Sequence, residues 1–98
     1  MTGKLKIERG SGNVFLDVGF PPDEAHNLQL RSDLMSRIER FVGSSGLTQK
    51  ECATRMGVTQ PRLNDLLRGK IDKFSLDALV NMLAHAGMRV TLHVKKAA

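Results

Sequence analysis

A short stretch in the second half of the chain combines amide, guanidinium and carboxylate side chains. They are Gln60, Arg62, Asn64, Asp65 and Arg68. Leucines recur between them at helical spacing, at positions 63, 66 and 67, which predicts a helix over Gln60–Leu67. We expect the leucines to face the core and the polar residues to lie on or beside the outward face. Amides pair bidentately with adenine, and guanidinium groups with guanine, in the major groove of DNA.

A second predicted helix, Thr48–Arg55, precedes this one and is separated from it by residues 56–59. A connection of three or four residues that contains glycine holds two helices at roughly 90–120° to each other, which is helix-turn-helix geometry. Gly57 supplies the positive φ that such a turn needs. Backbone N–H groups beside Thr48 and Gln49 can hold a DNA phosphate. Positive charge surrounds the unit at Lys50, Arg55, Lys70 and Lys73.

Start and stop signals divide the region after the first long helix into three shorter helices. Each start has a hydroxyl residue that can cap the helix, and these residues are Thr48, Thr59 and Ser75. Glu51, three residues after Thr48, completes a capping box. Each stop has a glycine that can adopt the left-handed conformation, and these residues are Gly57, Gly69 and Gly87.

We expect one domain over residues 21–98, preceded by an N-terminal arm over residues 1–20. The arm is apolar around Val14–Leu16 but broken by glycines before it, which favours a weak strand or a partly disordered segment. From Asp23 to Val42 apolar residues recur at three- and four-residue spacing, which predicts a long helix. The fold class is therefore all-α, with four or five helices.

After Gly87 the apolar residues alternate, which predicts a short C-terminal β-strand over residues 88–94. Its apolar face comprises Met88, Val90, Leu92 and Val94. A lone strand leaves its backbone groups unpaired, so it needs either Val14–Leu16 of the same chain or the same strand of a second subunit. The second arrangement predicts a homodimer, although the last helix could form that interface instead.

The amino-acid composition limits the classes of function that we expect for this chain. The chain has 98 residues and a net charge of +5, which suits a polyanionic partner, and only four aromatic residues, which disfavours a base-stacking surface for single strands. Its single cysteine, Cys52, is expected in the core, and the histidines have no metal-ligand spacing. No catalytic grouping stands out, so we predict no enzyme and no cofactor. Neither a membrane span nor a signal sequence is evident, and we expect a cytoplasmic protein.

The run from Leu47 to Lys70 resembles the Cro/CI (Xre) family of phage and bacterial repressors. Its flanks are similar to antitoxins of the HigA kind, in Val14-Phe15-Leu16-Asp17-Val18-Gly19-Phe20-Pro21 ahead and in Gly69-Lys70 with Phe74-Ser75-Leu76 behind. The resemblance implies a lambda-repressor-like domain that binds a palindromic operator in double-stranded DNA as a homodimeric repressor. The similarity of the flanks to HigA-like antitoxins further implies a small toxin protein as partner.

The resemblance also implies roles for individual residues. Gln49 would clamp the DNA backbone, while Gln60, Arg62 and Asn64 would read bases. Pro61 departs from relatives that carry a polar base reader there, so a contact at this position could only be apolar. Asp65 would read cytosine or pair with an arginine. The full set expected at the DNA is Thr48, Gln49, Thr59, Gln60, Arg62, Asn64, Asp65, Arg68 and Lys70. The alternative is a protein–protein interaction module in which the helix-turn-helix is mainly structural.

Overall fold

The computed structural model describes residues 13–96, which form five α-helices and one 3-10 turn. The helices are α1 (Val14–Asp17), α2 (Pro22–Ser44), α3 (Gln49–Met56), α4 (Gln60–Leu67) and α5 (Leu76–His85). The 3-10 turn Ile71–Lys73 connects α4 to α5. The prediction of a mostly helical domain with four or five helices is confirmed.

The long helix α2 is the central element of the fold. It begins at Pro22, where a proline costs no hydrogen bond, and Asp23 and Glu24 follow at the positive end of its dipole. It packs against α1, α4, α5 and the 3-10 turn. Its apolar stripe comprises Ala25, Leu28, Met35 and Ile38, all buried. One face of this helix therefore supports most of the other elements.

Local capping bonds fix where the three shorter helices begin. The Thr48 hydroxyl accepts a hydrogen bond from the Glu51 N–H at 3.1 Å, and the Glu51 carboxylate accepts one from the Thr48 N–H at 2.8 Å. The capping box is thus confirmed. Thr59 and Ser75 cap α4 and α5 in the same manner through their hydroxyls. All three sequence-predicted starts are correct because side-chain capping is a local interaction.

Within residues 13–96, the core is mainly aliphatic. Side chains from α2, α3, α4 and α5 converge in it, and the fully buried ones include Ile38, Cys52, Leu63, Leu66 and Leu79. Phe74, which follows the 3-10 turn, is also buried. Cys52 is therefore a core residue, as expected.

The predicted C-terminal β-strand is not formed among residues 13–96. Met88 and Val90 pack against the core, and the Met88 N–H donates to the Leu83 carbonyl at 2.9 Å. Beyond them the chain has no regular structure, and Leu92 and Val94 are 84% and 90% exposed. A strand requires a paired neighbour, and within the described residues no second extended segment lies beside this one.

The expected N-terminal arm also differs from the structure, as far as it is described. Val14–Asp17 is the short helix α1, capped by the Asn13 carboxamide oxygen, which accepts from the Phe15 and Leu16 N–H groups. The Asn13 amide also donates to the Ala25 carbonyl of α2 at 3.3 Å. The prediction of a weak strand here is therefore wrong. Because Val14–Leu16 is helical, it cannot pair as a strand with the C-terminal segment. The arm before Asn13 lies outside the described residues.

None of the helices between residues 13 and 96 is both long enough and apolar enough to cross a bilayer.

The left-handed turn after α3 gives a stability prediction. Gly57 has φ +74°, and a Cβ there would lie 3.2 Å from Cδ2 of the His85 ring on α5. We expect Gly57→Ala to lower the free energy of unfolding by about 1 kcal/mol or more, because it adds backbone strain to this close contact. Unfolding in urea, followed by circular dichroism, measures the change.

Two other glycines serve as controls for that measurement. Gly46 has nearly the same φ, +75°, but open space around it, so Gly46→Ala should show the strain without the contact with His85. Gly43 lies within α2, where alanine is a better helix former, so Gly43→Ala should be neutral or stabilising. Equal urea midpoints for wild type and Gly57→Ala would contradict the placement of the turn.

Candidate nucleic-acid interface

The turn between α3 and α4 has the geometry expected from the sequence. Gly57 ends α3 in the left-handed conformation, and its N–H donates to the Thr54 carbonyl at 3.1 Å. The next N–H, that of Val58, donates to the Ala53 carbonyl at 3.0 Å. The last carbonyls of α3 are thus satisfied while the chain turns sharply into α4. The two helices pack against each other directly.

Burial of two leucines determines which side of α4 faces solvent. Leu63 and Leu66 have no exposed surface. At about 100° per residue, the opposite side of the helix is centred on Pro61, Asn64 and Arg68, with Gln60 at its edge, and all four are exposed. Gln60, Pro61 and Asn64, together with Gln49 at the start of α3, line one open depression of about 390 Å³. The structure therefore brings three of the expected contact residues, and Pro61, to one surface.

Arg62 lies beside this surface rather than on it. Its guanidinium carbon is 4.4 Å from the centre of the Phe74 ring, and its Nη1 donates to the Lys73 carbonyl at 3.3 Å. Residues two apart on a helix are separated by about 200°, so Gln60 and Arg62 lie on opposite flanks of α4. On its flank, Arg62 meets Phe74, which holds it against the protein. The side chain is accordingly half-buried.

Asp65 pairs with two lysines rather than with either expected arginine. Its carboxylate oxygens lie 3.4 Å from Nζ of Lys70 and 3.7 Å from Nζ of Lys73. Desolvation raises the pKa of Asp65, but the hydrogen bond from Lys70 and the positive charges of both lysines outweigh it and lower the pKa below its usual value. Asp65 and Lys70 therefore interact within the protein, and the carboxylate is not directed at the outward face.

The remaining expected contact residues divide into two kinds. Thr48 and Thr59 use their hydroxyls as helix caps, which leaves the side-chain oxygens engaged with backbone N–H groups. Gln49 is half-buried at the first position of α3, and Arg68 is exposed just after α4. Gln49 thus lies beside the outward face of α4, and Arg68 continues that face one turn beyond Asn64.

The helical wheel places Pro61 opposite Leu63 and Leu66, and it places Arg62 on a flank of the helix. The partner of Arg62 could not be predicted in this manner, because Phe74 reaches it only through the tertiary fold. Among residues 13–96, no cluster of His, Cys, Asp and Glu could hold a metal ion.

A family model described as a helix-turn-helix domain matches residues 14–95 of the chain. No curated protein matches it significantly. The match covers α1 to α5 and the C-terminal segment, so it includes the elements that present Gln60 and Asn64.

The contact between Arg62 and Phe74 predicts a structural effect of mutation. Arg62→Ala removes a cation–π interaction and one hydrogen bond to a carbonyl, which should cost about 1–2 kcal/mol of folding stability. Arg68→Ala is the matched control, since it removes an exposed arginine from the end of the same helix and should change stability by less than about 0.5 kcal/mol. Urea unfolding measures both. Equal stability of the two variants would show that the Phe74 contact does not stabilise the fold.

Proposed function

This chain belongs to the helix-turn-helix domain family, and on that basis we propose that it is a DNA-binding transcriptional repressor that reads an operator in the major groove with α4. The observation that carries the proposal is the outward face of α4. Gln60 and Asn64 lie one turn apart and exposed, with Pro61 between them. Within the described residues, no protein group is hydrogen-bonded to either side-chain amide, so both can pair with base edges.

Groups around this face can hold the DNA backbone. The positive end of α3 carries the N–H groups near Gln49, and Arg68 is exposed beyond the other end of α4. Lys50 and Arg55 add exposed positive charge on α3. Phosphate contacts of this kind fix the position of a recognition helix without reading sequence.

We further propose a homodimer in which the C-terminal segments of two copies pair. Met88 and Val90 hold the segment against the core, so that Leu92 and Val94 extend from a fixed position with almost their whole surface exposed. Pairing two such segments would cover these side chains and satisfy the backbone groups beside them. A two-fold axis there would present two copies of α4 to successive half-sites of a palindrome, about 34–36 Å apart.

An antitoxin role, with a small toxin protein as second partner, is favoured by a separate surface. Around α1 several apolar side chains are exposed, among them Val14, Leu16, Val18 and Phe20. Phe15 packs edge-on against Phe20 with ring centroids 6.3 Å apart, so this part of the surface is ordered by its own contacts. Exposed apolar surface of this kind is typical of a protein-binding site. It is also what a protein–protein interaction module would need if the helix-turn-helix were only a scaffold.

Salt dependence separates the DNA-binding function from that scaffold alternative. Binding to duplex DNA through several phosphates should weaken steeply as salt rises from about 50 to 200 mM, because each neutralised phosphate releases a counterion. Fluorescence anisotropy with a labelled random duplex measures the dissociation constant at each salt concentration. If the purified protein binds no duplex at 50 mM salt, the scaffold alternative is correct.

The base-reading face predicts the effect of two substitutions. Gln60→Ala and Asn64→Ala should each weaken binding to a selected operator by about 1–3 kcal/mol, since each removes a bidentate contact. Gln29→Ala removes an amide from α2, where its partner is Asp33, and should leave affinity unchanged. Titration against the operator and a scrambled duplex measures specificity. Retention of full specificity in both α4 variants would exclude this face as the reader.

The C-terminal segment predicts an assembly change. Removal of residues 91–98 keeps Met88 and Val90 on the core, so we expect a folded monomer where the full chain is a dimer. As a matched pair, Leu92→Lys should disrupt the dimer, because it alters the apolar face, while Thr91→Lys should not. Analytical ultracentrifugation measures the mass. A truncated protein that remains a helical dimer would place the interface elsewhere, with α5 as the next candidate.

A further inference from the structure

The placement of Arg62 bears on which bases α4 can read. We propose that the base pairs contacted by the N-terminal part of α4 are A·T pairs, because the guanidinium nearest to them is held by the protein. This inference rests on the proposed operator-binding function and specifies its target. It concerns the reading face, which we define as Gln49, Gln60, Pro61 and Asn64.

The reading face contains no cationic group. Of its three α4 residues, Gln60 and Asn64 carry side-chain amides, and Pro61 is a proline. Guanine is read most commonly by Arg or Lys, which donate to its O6 and N7 acceptors, whereas the amides of Gln and Asn match N6 and N7 of adenine. The Pro61 ring can contact the methyl group of thymine but cannot donate a hydrogen bond.

Arg62 has specific partners inside the protein. Its guanidinium lies against the ring of Phe74, which is buried, and donates to the carbonyl of Lys73. From the other side, Arg31 on α2 donates to the carbonyls of Ile71 and Phe74, both at 3.3 Å. Two arginines thus hold the same connecting segment. Movement of Arg62 toward DNA would break its bond to Lys73 and uncover one face of the aromatic ring.

Arg68, the other arginine of this region, lies on the same side of α4 as Asn64 but one turn further along. It follows Gln60 by eight residues, which is roughly 12 Å along the helix axis at 1.5 Å per residue. A recognition helix contacts base edges mainly with its N-terminal residues. Arg68 therefore lies where α4 leaves the groove, and we assign it to phosphate. Lys70 is paired with Asp65 and is not directed at the reading face.

Selection from a random duplex library tests this inference. Wild type, Arg62→Lys, Gln60→Ala and Asn64→Ala are each taken through rounds of binding and sequencing, with helical content checked by circular dichroism. We expect A·T pairs at the most selective positions of the half-site. Gln60→Ala and Asn64→Ala should each relax one of these positions by about 5- to 150-fold, and Arg62→Lys should leave the consensus unchanged.

A gain-of-function variant strengthens the test. Asn64→Arg places a guanidinium on the reading face without disturbing the Phe74 contact, and it should convert one A·T position to G·C. This variant keeps the inference testable if Arg62→Lys is poorly folded, since Asn64 is exposed and makes no core contact.

Other outcomes would overturn the inference. A wild-type consensus with G·C at the most selective positions, altered in Arg62→Lys, would show that Arg62 reads guanine, while operator binding itself would stand. An A·T preference that persists unchanged in both Gln60→Ala and Asn64→Ala would arise from DNA shape rather than from these side chains. If no sequence is enriched because no duplex is bound, the proposed function is wrong, and this inference with it.

Discussion

The rotation of α4 about its own axis is the constraint on which the rest of the interface depends. Leu63 and Leu66 are completely buried among side chains from α2, α3 and α5. Burying each leucine contributes about 1.5–3 kcal/mol, whereas an exposed amide or arginine contributes little to stability. The apolar contacts therefore fix the helix, and the polar residues take the directions that remain. Asn64 faces solvent for this reason, whereas Gln60 and Arg62 lie on opposite flanks, and Arg62 is held against Phe74.

The segment between α4 and α5 joins α4 to the rest of the domain through packing and hydrogen bonds. Phe74 enters the core directly after the 3-10 turn, and Arg31 and Arg62 bind the carbonyls around it. On the other side of α4, the ring of His85 lies close to Gly57 at the start of the turn. The N-terminal part of α4 is thus held by elements distant in sequence. Arg62, which was expected to contact DNA, is used for this purpose.

The features predicted correctly from the sequence are those that arise from local interactions. The caps at Thr48, Thr59 and Ser75 require only the next three residues, and the left-handed glycine at Gly57 requires only the turn. The alternating pattern after Gly87 was equally clear, yet a strand needs a paired neighbour that the pattern does not supply. The helix α1 was missed because an apolar run as short as Val14–Leu16 fits strand and helix alike. The partners of Arg62 and Asp65 come from tertiary packing and could not be inferred from spacing.

The central claim is that α4 meets DNA with the face opposite Leu63 and Leu66. Side-chain NMR of the protein, titrated with its selected operator duplex, tests this most directly. The account predicts large shifts for the side-chain NH₂ signals of Gln60 and Asn64 and an unchanged Nε–H signal for Arg62, which stays against Phe74. The opposite pattern, with Arg62 shifted and the two amides unaffected, would contradict it.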